Sequence, residues 1–491
     1  MEPRSASHHE PIVIQDRAHF ALLGGLAIVA GTALWIPPLS SSLRLDETAT
    51  YWIVRDGIRA TVERAVEFQG ESPAYYLIQR LATGLFGTSE AAMRLPSILA
   101  MVGVGFLLYR LGNRLGGRDV GLLAAILFVI REDMIFAAGD ARPYALAILA
   151  LVGATLALVR WVEDGRHRDA AIYVLLAATA MYIHYIAGLS LLAHFIYVLW
   201  RRDRLSLMRF ALGLLAVGLL MLPALPHLRS LYLRRDSLEV PFAVTLPGLF
   251  TVLVPALLVG TALLGFAIAR FWDRPTIGAT GFTGAWPLVS AWWVLPALLL
   301  YMVSTFSATT LFEPRFFFFS SPALALAGGL AISSIDPPRS RRVVITVMVA
   351  ISILGLGSRT HSGDDWRSAA EVARSITEPD TVVLIRPAFI ESNQLDWVTA
   401  QDKIPYLSAP LSPYPIDGDI VLLPYSVTEE AMKYLGDVAQ RRLSAGNQFL
   451  LVNDYGGFQN WLLGRLPSFS ARTLTEPGSL VTVVLFERQP S

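Results

Sequence analysis

Leu43-Arg44-Leu45-Asp46-Glu47-Thr48 follows the apolar run of residues 20–39 almost at once. A run of that length crosses a bilayer core of about 30 Å as a helix. Ionised carboxylates at a bilayer edge are costly unless they carry a task or a partner. Here Asp46-Glu47 opens a long polar loop, and many more apolar runs follow. The pattern predicts a polytopic α-helical membrane protein that does its chemistry at a membrane surface, on something the lipid presents.

Composition agrees. Of 491 residues, 54% are hydrophobic and only 16% charged, against about 25% charged in soluble domains. A net charge of +1 gives no case for nucleic acid. With no cysteine, disulfides and thiolate metal sites are excluded. Lys403 and Lys433 are the only lysines, an arginine bias that fits a GC-rich bacterial genome. Residues 1–19 are polar and no Ala-x-Ala cleavage pattern follows the first run, so that run reads as a retained helix behind a cytoplasmic tail.

Membrane-length windows fall at 20–38, 92–110, 119–136, 143–160, 170–185, 187–200, 210–226, 247–269, 286–306, 316–334 and 342–357. The segment 170–200 reads as one long helix or as a hairpin, and arginine placement decides between them. Arg110, Arg114 and Arg118 share one loop, and Arg160, Arg166 and Arg168 the next on the same side. Arg201, Arg202, Arg204 and Arg209 join that side only if 170–200 turns back. Arg270 and Arg274, then Arg339, Arg341 and Arg342, continue the series. The positive-inside rule therefore predicts about eleven spans, with the N-terminus cytoplasmic and the C-terminus outside.

That orientation puts four features outside: the loop 40–91, Asp140-Ala141-Arg142, the loop 227–246 and Glu313-Pro314-Arg315. Within 40–91, Thr50 to Phe68 and Pro73 to Phe86 carry apolar stripes at helical spacing. They read as helices in the interface plane, with a re-entrant or packing loop as the plainer alternative. The expected domains are the tail 1–19, a transmembrane body 20–357 and a small extracytoplasmic α/β domain at 358–491. In the last, a helix is expected over Trp366 to Ile376 and strands over 381–385, 419–423, 448–452 and 480–487. Ser426 and Glu429 look like a capping box for a helix running to about Leu443, stopped at Gly446. No dinucleotide-binding glycine pattern and no P-loop is present.

Each charged outer residue has a chemical and a structural reading. Asp46 and Glu47 suit a general base or a metal ligand, because a hydroxyl nucleophile needs a proton acceptor within reach; equally, they suit a helix N-terminus at Thr48 to Gly57. Asp140 suits a second acid, or a cap for the helix after Pro143. Arg142 presents the planar fork that matches phosphate oxygens. His184-Tyr185, at the tip of the hairpin, suits a structural hydrogen bond more than catalysis. Arg315, before Phe316-Phe317-Phe318-Phe319, either snorkels or binds an anionic lipid phosphate. Arg234-Arg235 reads as a solvated or headgroup pair, and His8-His9 as part of a polar tail with no metal.

Taken in order, these residues resemble the C-type integral-membrane glycosyltransferases, and in particular the bacterial relatives of dolichyl-phosphate-mannose protein mannosyltransferase. Leu45-Asp46-Glu47 resembles their first-loop Asp-Glu motif. Ser72-Pro73-Ala74-Tyr75-Tyr76 resembles a Pro-Pro-x-Tyr-Tyr stretch, and Glu90 to Ser97, with Arg94-Leu95-Pro96-Ser97, resembles the start of the second span. Asp140-Ala141-Arg142-Pro143-Tyr144-Ala145-Leu146 is similar to Glu-Ala-Arg-x-Tyr-Ala-Leu. His184-Tyr185, Pro314-Arg315-Phe316 and Asp365-Trp366-Arg367 also have counterparts. Two positions depart: Glu71 stands where a His precedes the two prolines, and Glu132 where a proline is usual.

The resemblance implies an inverting, mannosyltransferase-like enzyme of the bacterial inner membrane. Its donor would be a polyprenyl-monophosphate sugar, and its acceptor a lipid, polysaccharide or protein hydroxyl. Asp46 would be the base, assisted by Glu47 and Asp140. Arg142, Arg315 and His184 would hold the donor phosphate, and Glu71 and Tyr75 would lie on the acceptor side. A divalent cation (Mg²⁺, Mn²⁺ or Ca²⁺) bridging Asp46, Asp140 and phosphate would be in keeping with hard oxygen ligands. The rival expectations are a transporter or flippase of lipid-linked sugars and a non-catalytic scaffold.

Overall fold

All eleven apolar windows fall on helix in the computed structural model, but several are not one helix each. The structure describes residues 10–70, 72–233, 244–278, 284–307, 310–356, 364–444, 446–454 and 457–489. The readings on Glu71, Arg234-Arg235 and His8-His9 lie outside these residues, as does the junction near 357. The first helix, Glu10–Trp35, begins inside the stretch read as a tail.

Among the described residues, six helices are long and apolar enough to cross a membrane, or seven if one bent pair is a single span. That pair, Leu246–Leu253 and Ala256–Ala269, bends by 47°. Pro255 lies at the break and can neither donate to the ladder nor fit the preceding turn. The window 119–136 splits into Arg118–Val129 and Glu132–Ala138. At the break, Arg131 turns onto Asp133 through two bonds of 3.0 and 2.7 Å.

Two units emerge from the packing. The first comprises Met1–Pro38, Pro96–Pro226 and Pro241–Arg359. Within it, residues 170–200 form a hairpin. Tyr173 and His194, at similar separations on either side of His184, meet edge-on at 5.6 Å. Thr155 uses its proton on the Leu151 carbonyl (2.9 Å), so His194 Nε2 donates to Thr155 Oγ1 at 3.0 Å, which leaves Nδ1 to accept from Tyr173 at 3.4 Å. Small residues let helices close up, as membrane packing favours: a Cβ built on Gly121 would sit 2.4 Å from the Tyr109 carbonyl oxygen.

Arginine loops grouped by the sequence pattern are physically joined in this unit. Asp119 takes His19 Nε2 at 3.1 Å and Arg341 Nη1 at 2.7 Å. Arg114 pairs with Glu163 and Asp164. The short strand β1 (Thr276–Ile277) pairs antiparallel with β2 (Ile335–Asp336).

The second unit comprises Leu39–Leu95, His227–Val240 and Thr360–Ser491. The first outer loop thus packs with the C-terminal region. Its three helices are Leu45–Val54, Ile58–Phe68 and Pro73–Phe86. The stripe expected to be continuous over Thr50 to Phe68 breaks at Gly57, whose φ of +106° disfavours any residue with a side chain.

The C-terminal sheet has strands β3 (Val382–Ile385), β4 (Asp419–Leu422), β5 (Gln448–Val452), β6 (Phe469–Thr473) and β7 (Val483–Arg488) in the order β4-β3-β5-β7-β6. β3 is parallel to β4 and β5, while β7 is antiparallel to β5 and β6. Leu384, Phe449, Leu451 and Phe486 pack with Leu435 and Leu462 from the flanking helices. The cap of the helix Glu429–Val438 is Thr428, which accepts from the Ala431 N–H at 3.2 Å; the expected cap at Ser426 is two residues early. β6 and the helix Phe458–Arg465 were not foreseen.

An aromatic cluster fastens this domain to the first loop. Phe68 stacks on Tyr406 at 4.8 Å, Trp52 meets Tyr406 at 5.8 Å, and Trp397 meets Phe68 at 6.1 Å. Lys403 pairs with Glu67 and lies 5.0 Å from the Phe68 ring.

Candidate functional site

The two acids of Asp46-Glu47 have different surroundings. Arg44 is the N-cap of Leu45–Val54, which puts both acids in the first turn. Glu47 is wholly buried, as is Arg94. Arg94 Nε donates to Glu47 Oε1 at 2.8 Å and Nη2 to Oε2 at 2.6 Å. Glu47 Oε2 also accepts from the Arg44 N–H at 2.9 Å, half of a capping box. The rest of the Arg94 fork holds backbone: Nη1 donates to Leu39 O at 3.1 Å and Ser41 O at 2.7 Å, and Nη2 to Ser42 O at 2.8 Å. Glu47 was expected among the catalytic acids. Both its oxygens are engaged by Arg94, out of reach of solvent.

Asp46 is half-buried. Its neighbour is Asp364, whose carboxyl lies above the ordinary carboxylate value. Burial is the main cause; Arg44 opposes it, the Asp46 charge adds to it, and a hydrogen bond from the Leu45 N–H opposes it. Tyr75, expected on the acceptor side, is wholly buried and packs edge-on against Tyr76 at 5.0 Å.

The first unit brings together the other expected residues. Asp140, Arg142 and His184 are buried at 2%, 7% and 4% exposure. The helix Tyr144–Asp164 has Pro143 as its N-cap. Ser97 Oγ donates to the Asp140 carbonyl at 2.6 Å and fixes the turn that carries it. His184 sits among rings, 5.4 Å from Tyr144, 5.7 Å from Phe316 and 5.0 Å from Phe319. Trp292 Nε1 donates to the Phe319 carbonyl at 2.8 Å and holds that wall. Arg315, at the start of the wall, is half-buried and pairs with Glu313. Arg131, Asp133 and Ser321 form a further polar group that the sequence reading did not single out.

With that geometry in view, the chain can be set beside known proteins. Residues 70–228 match the family described as dolichyl-phosphate-mannose-protein mannosyltransferase. The solved structure of ArnT from Cupriavidus metallidurans in the apo state aligns over 95% of this chain and 98% of its own, with a TM-score of 0.55 and 13% identity. The chain has the C-type glycosyltransferase fold. ArnT bound to undecaprenyl phosphate aligns over 95% and 97%, with a TM-score of 0.54 and 13% identity. The Archaeoglobus fulgidus oligosaccharyltransferase, in complex with Zn and sulfate, aligns over 94% of this chain and 72% of its own, with a TM-score of 0.51 and 14% identity. No curated protein sequence matches.

The C-type likeness covers both units, although the sequence match stops at residue 228. Among the described residues no group of three or more His, Asp or Glu side chains is arranged to hold a metal ion. Arg94, Asp364, Arg367 and Tyr414 carry much of the polar geometry around Asp46; Arg94 and Arg367 lie in stretches that carry the family resemblance, while Asp364 and Tyr414 had no signal. A lone arginine beside Met93 and Leu95 at the head of an apolar run is costly without a partner.

Proposed function

We propose that the protein transfers a sugar from a polyprenyl-monophosphate-linked donor to an acceptor hydroxyl at the outer face of the bacterial inner membrane. The observation that carries this reading is the division of the acidic pair. Glu47 locks the helix N-terminus against Arg94, while Asp46 in the same turn stays partly open. A fixed carboxylate at the edge of a low-dielectric site suits a general base.

In the proposed step, Asp46 accepts the proton of the acceptor O–H as that oxygen attacks the anomeric carbon. The bond from carbon to the phosphate oxygen breaks with inversion, and polyprenyl monophosphate leaves with the bonding pair. Arg142 and Arg315 meet the charge that grows on the phosphate, and the apolar wall around His184 strengthens that attraction. Asp140 assists from the same turn as Arg142. Arg315 reaches phosphate only by sharing or leaving Glu313. Support for a lipid phosphate donor comes from ArnT, which has been solved with undecaprenyl phosphate bound. Exposed Leu81, Leu85 and Phe86 on the helix Pro73–Phe86 fit a helix lying in the interface plane. About eleven spans with the C-terminal domain outside complete the reading.

The test uses membranes supplied with radiolabelled polyprenyl-phosphate sugar. Wild-type protein transfers label and releases free polyprenyl phosphate, whereas Asp46→Asn does neither. Full transfer by Asp46→Asn would remove Asp46 from this role, and translocation of the donor without release would point to a transporter. Activity in a chelator, then with Mg²⁺, Mn²⁺ or Ca²⁺ returned, tests whether Asp46 and Asp140 use a cation.

A further inference from the structure

The geometry points to the C-terminal domain as part of the apparatus that aims Asp46, with Tyr414 and Arg367 as positioning residues; this inference rests on the proposed role of Asp46 as base.

Seven residues, Leu39 to Leu45, lead into Asp46, and nearly all are held through their backbone by side chains from elsewhere. Arg94 takes the carbonyls of Leu39, Ser41 and Ser42. Arg367 Nη2 donates to the Ser40 carbonyl at 3.2 Å, and the Arg367 backbone N–H donates to Ser42 Oγ at 3.2 Å. The Leu43 N–H donates to the Tyr414 hydroxyl at 2.8 Å. Glu47 takes the Arg44 N–H, and Asp364 the Leu45 N–H. Three of these holders, Asp364, Arg367 and Tyr414, come from the C-terminal domain, more than 300 residues along the chain.

The domain's ties are also connected to each other. Tyr414 donates to Glu90 Oε1 at 3.0 Å, and Arg367 Nη1 donates to the same oxygen at 3.1 Å. Glu90 opens the helix that carries Arg94. Burial pushes the Tyr414 phenol up to about 12, so it keeps its proton at any working pH. With its proton on Glu90 and hydrogen bonds from the Leu43 N–H and the Ser42 side chain, that hydroxyl has a single orientation. A small loss of alignment at a reacting centre can cost about a hundredfold in rate, so a segment pinned at successive peptides is a means of fixing Asp46.

The experiment measures kcat and donor KM for Tyr414→Phe and Ser42→Ala in the full-length protein in membranes. Tyr414→Phe keeps the ring and removes the hydroxyl; Ser42→Ala removes the acceptor for the Arg367 N–H and the Ser42 bond to Tyr414 while leaving every residue of the domain in place. Lys403→Ala is the control, because it cuts a tie from the same domain to Glu67 and leaves the Leu39–Leu45 segment alone. We expect kcat to fall about tenfold for Tyr414→Phe and about threefold for Ser42→Ala, with donor KM within twofold of wild type. Lys403→Ala should keep kcat and lose only thermal stability. Unchanged kcat in Tyr414→Phe and Ser42→Ala, or an equal fall in Lys403→Ala, overturns the inference. Asp46→Asn in the same assay keeps the two readings apart. If it is inactive while Tyr414→Phe is normal, the inference fails and the base stands; if it is active, the base itself fails.

Discussion

The surroundings of Asp46 and of His184 are built by different means. Asp46 is reached through a segment held by charged and polar side chains, nearly one peptide at a time. His184 is held by aromatic rings, with arginines nearby in sequence on the same walls. Hydrogen bonds fix direction, which a proton acceptor needs. Rings exclude water, which strengthens a cation's hold on phosphate. In the proposed reaction, one region would supply aim and the other field.

That contrast can be broken, starting with the largest effect. Asp46→Asn should lower kcat about 10³-fold, within the range of general-base losses, with little change in thermal midpoint; radiolabel transfer and a melting curve in detergent measure the two. Arg94→Met leaves Glu47 buried and unpaired, which should cost about 3–5 kcal/mol of stability. Glu47→Leu with Arg94→Met should recover most of that stability and little of the activity, because the segment before Asp46 stays unpinned. If the double variant regains full kcat, the polar region supplies stability and not aim.

A smaller effect is expected on the phosphate side. Arg142→Lys keeps the charge and loses the fork, so donor KM should rise about tenfold while the kcat–pH profile keeps its shape. A changed pH profile would show that the two regions are not separable. The smallest effect concerns Asp364. A carboxyl raised above its ordinary value adds stability below that ordinary value and loses it as pH climbs through the raised one. At neutral pH the ionised group is therefore a liability. Asp364→Asn should melt higher than wild type at pH 7, with the gain shrinking toward pH 4; a lower midpoint at pH 7 would contradict that sign.

Much of the fold could be read from residue order. Apolar length marks where helix forms, although among the described residues only six helices, or seven with the bent pair, are long and apolar enough to cross a membrane against the eleven expected; the arginine loops that the pattern grouped are joined by Asp119, Arg341 and Arg114. The helix breaks were harder. Gly57 and the Arg131 turn interrupt stripes whose apolar spacing continues across them. β6 escaped because only Phe469 of its five residues is buried, so an edge strand left no alternating signal. The helix Phe458–Arg465 has eight residues, about two turns, too short to show a helical period in its apolar residues.

From the site, the sequence supplied Asp46, Asp140, Arg142, His184 and Arg315 as charged or titratable groups at helix ends. The roles of the two adjacent acids were beyond it. Consecutive residues on a helix point about 100° apart, so neighbours in the chain must face different surroundings, and which of them meets a buried guanidinium depends on a partner 47 positions away. Local pattern and hydropathy determine that there is a membrane body, a polar loop and an acidic pair within it. Only long-range packing, which brings Arg94, Arg367 and Tyr414 to one short segment, decided that Glu47 is buried against a guanidinium and that the backbone leading to Asp46 is pinned.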